Sequence, residues 1–343
     1  MPAGSANRWR WIPLLGGIVL LAVLLTELGP GQVGSLLTSI GPNVLVIVAL
    51  FASHECLRAW CLSRCLPPRH RPPFRRLLRI RFLGEALQLL THTGPFVSEP
   101  ARVWMLAQHS SHTPAAYAAA VSELLISAWA SALVTVLILG FVMPAFALRG
   151  RVVALSDVLL AGAVAYLVIA IVALAKRMHV ISGVVRALGA VPLVGRLLKH
   201  SPAHVREMED AIFDIWRSSP ASLARVIALE LLAQSILVFE IYWALTSMGV
   251  AVSIAAALLV EALTKVANVI QIIGATEGSY ALVFDWMGMT ATVGFTLALM
   301  KRVRSVAVAV LGLGALTLID RAAPSRHQQV TELTGIRRDT TCG

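Results

Sequence analysis

Charge is what this sequence has least of. Of its 343 residues only 14% are Asp, Glu, Lys or Arg, and 57% are hydrophobic; a soluble domain usually carries about 25% charged residues. Mean hydropathy is +0.78. The deficit is uneven, because charges gather in a few segments and leave long apolar stretches nearly empty. That excludes a soluble globular enzyme, a disordered chain and a secreted disulfide scaffold. Acidic residues are the scarcer sign, 18 against 29 Lys and Arg, for a net charge of +11. In a membrane chain such an excess serves orientation and contact with anionic lipid, so nucleic acid is not needed to explain it.

Cysteine is sparse as well. Cys56, Cys61 and Cys65 fall at one end of a single apolar segment, and Cys342 is next to last in the chain. Two cysteines on one helix cannot bridge without breaking it, and no CxxC pair suggests zinc. The favoured reading is small apolar side chains. Catalytic signatures are also missing. His54-Glu55 is followed by Cys56, Leu57 and Arg58, which is not HExxH, and no GxSxG, P-loop or paired-Asp motif occurs. Gly312 and Gly314 lie in an apolar run that suits helix packing better than a nucleotide loop. The sequence therefore points to no catalytic residue, no metal and no cofactor.

What is present is membrane-spanning hydrophobicity. A helix crossing the bilayer core needs about 20 apolar residues, and candidate spans are 11–28, 43–62, 116–140, 156–175, 223–248 and 290–319. The first follows Arg8 and Arg10 without a small-x-small cleavage site, the pattern of an uncleaved signal anchor. With the N-terminus inside, cytoplasmic segments hold 20 Lys and Arg, while the outside loops hold only Arg149 and Arg151. The positive-inside rule then puts both termini in the cytoplasm. Residues 1–320 form the membrane domain, with halves 11–175 and 223–320, and 321–343 is a cytoplasmic tail. The linker 176–222 carries a helix N-cap signal at Ser201-Pro202. Val205, Met208, Ile212, Ile215 and Trp216 then mark one apolar face of an amphipathic surface helix. Docking of a partner protein through 201–217 is the alternative use of that face.

Two apolar stretches are interrupted. The segment Arg79–Leu90 is too short to cross and runs into Gly94, Pro95 and Pro100, which oppose a continuous helix. A second short arm from Ser98 to about Gln108 returns toward the starting side, as in a re-entrant hairpin. The stretch 254–289 breaks at Gly274 and Gly278, and reads either as a second hairpin or as two ordinary spans. Each tip carries a Gly and a Glu, and the two open in opposite senses, as in an inverted-topology repeat. The expected fold is an all-α polytopic membrane protein of about six full spans plus two re-entrant helical hairpins. Irregular backbone at that depth must be buried in protein or line a wet cavity.

Charges at membrane depth cost about 2.5–3.5 kcal/mol each even on the lenient insertion scale. Glu99, Arg102, Glu123, Glu230, Glu240, Glu261, Lys265 and Glu277 all read as deep, and Lys301, Arg302 and Arg304 lie inside one uninterrupted helix. Glu261 and Lys265, four apart, are expected to pair. Glu230 and Glu240 are structural or cavity-lining. Glu99 with Arg102, Glu277 and Arg304 are expected to be functional, because they sit at helix breaks or mid-span. Arginines facing helix N-termini suit a lipid phosphate, and a nearby carboxylate could carry a coupling proton. His92 is a candidate proton relay, although a satisfied polar core residue is the favoured reading.

With these motifs the sequence resembles the lysylphosphatidylglycerol synthase transmembrane region family, the lipid-flippase domain of multiple peptide resistance factors. Some stand-alone members are associated with hopanoid gene clusters. The resemblance covers about 11–320. The family's Pro-Gly turn and Gly-Glu-x-x-Arg are matched by Gly94-Pro95 and by Ser98, Glu99 and Arg102, with Ser98 replacing the usual Gly. Glu123 fits the Glu of a Glu-Arg pair in the third span, with Leu124 in the Arg position. Gly274 and Glu277-Gly278 match the second hairpin without its Pro, and the Arg of the last span falls on Arg304 or its neighbour Arg302.

The resemblance implies a bacterial cytoplasmic membrane protein that translocates an anionic, aminoacylated or isoprenoid lipid. Glu99, Arg102, Glu123, Glu277, Arg302, Arg304 and His92 are the candidate substrate-binding residues. Only the 24 residues Asp320–Gly343 follow the last span, so the aminoacyl-transferase domain of bifunctional relatives is expected to be absent. A non-transporting partner of a lipid-synthesis complex, and a headgroup enzyme using His92 and Glu99, are the alternatives.

Overall fold

The computed structural model describes residues 40–91, 95–108, 113–146, 150–176, 179, 183, 206, 209–213, 216, 220–269 and 275–322. Among them all secondary structure is helical. The order is α1 (Asn43–Cys65), α2 (Phe74–Thr91), α3 (Pro95–Gln108), α4 (Thr113–Leu137), α5 (Arg151–Ala175), α6 (Pro220–Ser247), α7 (Ile254–Val269), α8 (Ala275–Trp286) and α9 (Ala291–Ala322). A π-turn, Ile138–Val142, extends α4. Four stretches are long and apolar enough to cross a membrane: Asn43–Cys65, Ala115–Ala145, Arg151–Ala175 and Pro220–Ser247. They coincide with four of the expected spans. The span 11–28 lies outside the described residues. The expected last span is the single helix α9, 32 residues and uninterrupted through Lys301, Arg302 and Arg304.

The interrupted stretches differ from expectation in detail. α2 has 18 residues, about 27 Å of helix, because it starts at Phe74 and not at Arg79. Pro72 and Pro73 set that start: the Pro73 carbonyl accepts the N–H of Arg76 at 2.9 Å and of Leu77 at 3.4 Å. α3 begins at Pro95, where a missing N–H costs nothing, and it runs straight through Pro100. Pro100 is therefore not a break; so near the helix start its ring removes one hydrogen bond without ending the helix. Gly278 is not a break either, being the fourth residue of α8. The expected breaks at Gly94 and Gly274, and His92, lie outside the described residues. α7 and α8, with 16 and 12 residues, are about 24 and 18 Å long.

Among the described residues, α1 and α6 are each a long helix followed by a shorter pair. The two long leaders, α1 and α6, pack against each other, and α9 lies against α2, α1 and α8. Ile47 of α1, Ile241 and Leu245 of α6, and Leu297 and Met300 of α9 share one apolar core. α6 ends on Gly249, whose φ of +77° lets the Val250 N–H reach the Leu245 carbonyl at 3.0 Å. Close approach of α8 to α9 depends on Gly294, since a Cβ there would fall 2.5 Å from the Tyr280 carbonyl oxygen. α5 is the opposite case: none of its most apolar 18-residue window is buried, which suits a lipid-facing helix. In the linker, Ile212 is buried and Trp216 packs on a cluster that includes Leu62 and Val226.

Candidate functional site

Charged residues at helical spacing on several segments meet in one buried lattice. On α1, Glu55 and Arg58 are three apart; on α2, Arg81 and Glu85 are four apart; on α3, Glu99 and Arg102 are three apart. Each spacing puts both members on one face. Arg58 donates from Nε and Nη2 to Glu123 Oε1 of α4, at 3.0 and 2.8 Å. Its Nε is also 3.9 Å from Glu230 Oε1 of α6. Arg81, only 1% exposed, donates from Nε to Glu55 Oε2 at 3.1 Å and from Nη1 to Glu123 Oε1 at 3.4 Å. Arg102 pairs with Glu99 and stands 3.5 Å from Glu85 Oε2. Beside them, the ring Nδ1 of His54 lies 3.1 Å from the Ala233 carbonyl; because a carbonyl can only accept, this nitrogen carries the hydrogen.

Arg304 of α9 closes the lattice. It pairs with Glu240 of α6 and lies over the Phe51 ring of α1, 4.0 Å from its centroid. Glu85 is an electrostatic neighbour of both Arg102 and Arg304, so these two expected binding residues are brought together.

Glu277 and Arg302 form a separate pair, joining α8 to α9 at 2.7 Å. Next to Arg302 in sequence, Lys301 donates to the Tyr280 hydroxyl at 3.0 Å and contacts Glu261 at 3.5 Å. Glu261 and Lys265 do not form the expected pair. Lys265 instead crosses to α4, where its Nζ donates to the Ser131 hydroxyl at 2.7 Å and carbonyl at 3.2 Å. A contact between helices wins because it satisfies two donors at once, and Lys301 is left to neutralise Glu261.

The lattice leaves guanidinium hydrogens unused. Arg81 Nη2, Arg102 Nε and Arg304 Nε are buried with no hydrogen-bond acceptor. A buried donor without a partner costs about 1–3 kcal/mol, so three arginines in one region hold capacity for an anion. The family model described as the lysylphosphatidylglycerol synthase TM region matches residues 10–312. The chain belongs to that family. No curated protein and no solved structure matches it.

Leu124, next to Glu123, faces outward, 38% exposed. Glu123 is neutralised from two other helices, by Arg58 and Arg81. Glu55, Arg58, Arg81 and Glu85 were not among the residues expected from sequence. The available signal is their three- and four-residue spacing; Arg81 reads as part of the arginine-rich cytoplasmic segment, while Glu55 and Arg58 fall in the span 43–62 and Glu85 in the arm Arg79–Leu90.

Proposed function

We propose that this member of the lysylphosphatidylglycerol synthase transmembrane region family is a lipid translocator of the bacterial cytoplasmic membrane. It binds the headgroup between its two halves and has both termini in the cytoplasm. The observation that carries the reading is the set of unused donors on Arg81, Arg102 and Arg304, buried among helices from both halves. A guanidinium offers a planar fork matched to phosphate oxygens, and in a site closed to water such bonds gain strength. Glu85 and Glu99 hold Arg102 in place. The lipid is anionic, aminoacylated or isoprenoid, and the chain acts as a carrier and not as an enzyme.

Reconstitution into proteoliposomes with labelled anionic, aminoacylated and polyprenyl-phosphate lipids tests this. Lipid movement should be lost in Arg102→Ala and in Glu99→Gln while both proteins stay folded. No movement of any lipid by folded wild-type protein would end the translocator reading. What would then remain is a membrane partner of lipid-synthesis proteins, docked through residues 201–217.

A further inference from the structure

Glu123 and Glu230 converge on a single nitrogen. Arg58 Nε donates to Glu123 Oε1 at 3.0 Å and stands 3.9 Å from Glu230 Oε1. Arg58 also donates from Nη2 to the same Glu123 oxygen, and Arg81 adds a third contact to it. Glu123 therefore takes nearly all of the available cation. Glu230 is 0% exposed, no cation comes within hydrogen-bond distance of its oxygens, and its polar neighbour at that range is the Cys61 thiol.

The groups that face Glu230 come from several helices. α1 brings Arg58 and the thiols of Cys61 and Cys65, α2 brings Arg81, and α4 brings Glu123. α7 and α9 also pack on α6, but the Arg304 of α9 is taken by Glu240, ten residues further along. Arg81 is shared with Glu55. Across the lattice described above, six carboxyl groups face four guanidiniums. A thiol is a weak donor and leaves a carboxylate poorly compensated in a dry interior, and two carboxylates on one site cannot both ionise freely.

We propose that Glu123 and Glu230 form a carboxyl pair that binds one proton beside Arg58, with Glu230 the member that holds it. This rests on the translocator reading for its use. The proton removes the negative charge that would oppose a phosphate arriving at Arg81 and Arg102, so proton and anionic headgroup favour each other's binding. On release, the proton leaves the Glu230 oxygen for solvent. Glu230 then takes Arg58 as counter-ion while Glu123 keeps Arg81.

Infrared absorption of the full chain in liposomes at neutral pH reads the site without any lipid movement. A carboxylic-acid carbonyl band is expected, and Glu230→Gln should remove one carboxyl's worth of it. Glu123→Gln should remove the same band, because Arg58 then serves Glu230 alone. An unchanged band in Glu230→Gln overturns the proposal; if that variant does not fold, a band persisting in Glu123→Gln does so. Binding of short-chain phosphatidylglycerol should weaken as pH rises in the wild type and lose that dependence in Glu230→Gln. A wild-type pH profile in that variant would remove the coupling. Failure of lipid movement with the infrared band present would end the translocator reading and leave the proton site standing.

Discussion

The side chain of Arg102 lies across the bare backbone of Gly84, where an added Cβ would overlap its Nε, Cγ and Cδ atoms. α2 and α3 therefore meet through an arginine laid into a space that only glycine leaves open. Gly84→Ala should displace Arg102 from Glu85 and Glu99 and reduce lipid movement as far as Arg102→Ala does. Overpacking of this kind costs about 1–3 kcal/mol, so the protein should still fold. Mass-spectrometric thiol labelling checks this, because the buried Cys61 and Cys65 should stay protected.

Arg58 donates twice to Glu123 and stands 3.9 Å from Glu230, and its removal is expected to be severe. Breaking one side of a buried pair costs about 3–5 kcal/mol, so Arg58→Gln should lower the melting temperature sharply in detergent micelles. Adding Glu123→Gln and Glu230→Gln to that variant should restore most of the loss. A single variant that melts like the wild type would show that Arg58 does not stabilise the α1, α4 and α6 contact.

Tyr280 engages Lys301 in two ways, by its hydroxyl at 3.0 Å and by its ring, with Nζ 5.3 Å from the centroid. Tyr280→Phe removes only the first and should cost about 1.5–3 kcal/mol, the range for a hydrogen bond to a charged group. Tyr280→Leu removes both and should be less stable again. Equal melting temperatures for the two variants would mean that the ring contributes nothing to holding Lys301.

Gly294→Ala should force α8 and α9 apart, because its Cβ would sit 2.5 Å from the Tyr280 carbonyl oxygen and 2.9 Å from the Phe284 ring. The same two helices carry Glu277 and Arg302. A double-mutant cycle on that pair should show a smaller coupling energy in the Gly294→Ala background than in the wild type.

Orientation has its own test. Single-cysteine substitutions at Arg149 and Arg326 should differ in reactivity toward an impermeant thiol reagent added to intact cells. Position 149 is expected to label and position 326 to be protected. The reverse pattern would overturn the Lys and Arg asymmetry as the determinant of topology.

Much of the helical layout was legible because length and hydropathy are local properties. Residues 43–62, 116–140, 156–175 and 223–248 stand out in sequence and recur as helices or helical extensions. Helix ends around proline were less legible. Pro95 and Pro100 have the same local chemistry, yet one starts α3 and the other lies inside it. The charge pairing was the least legible feature. Arg58 and Glu123 are 65 residues apart, and Lys265 prefers Ser131 on another helix to Glu261 one turn away. Such choices depend on which helices become neighbours, and the periodicity of one segment does not contain that information.

The pairing of Arg304 with Glu240 bears on how the protein is made. In a bilayer, apolar helix surfaces are as well matched to lipid tails as to each other, so greasy contact does little to choose partners. α1 to α4 bring acids and bases together and can neutralise most of their charge among themselves. α6 brings Glu230 and Glu240 with no base of its own at that depth, and Arg304 is synthesised 64 residues after Glu240. Glu240 can therefore meet this counter-ion only after the last helix has been made. Until α9 is complete, that one acid on α6 stays without its base.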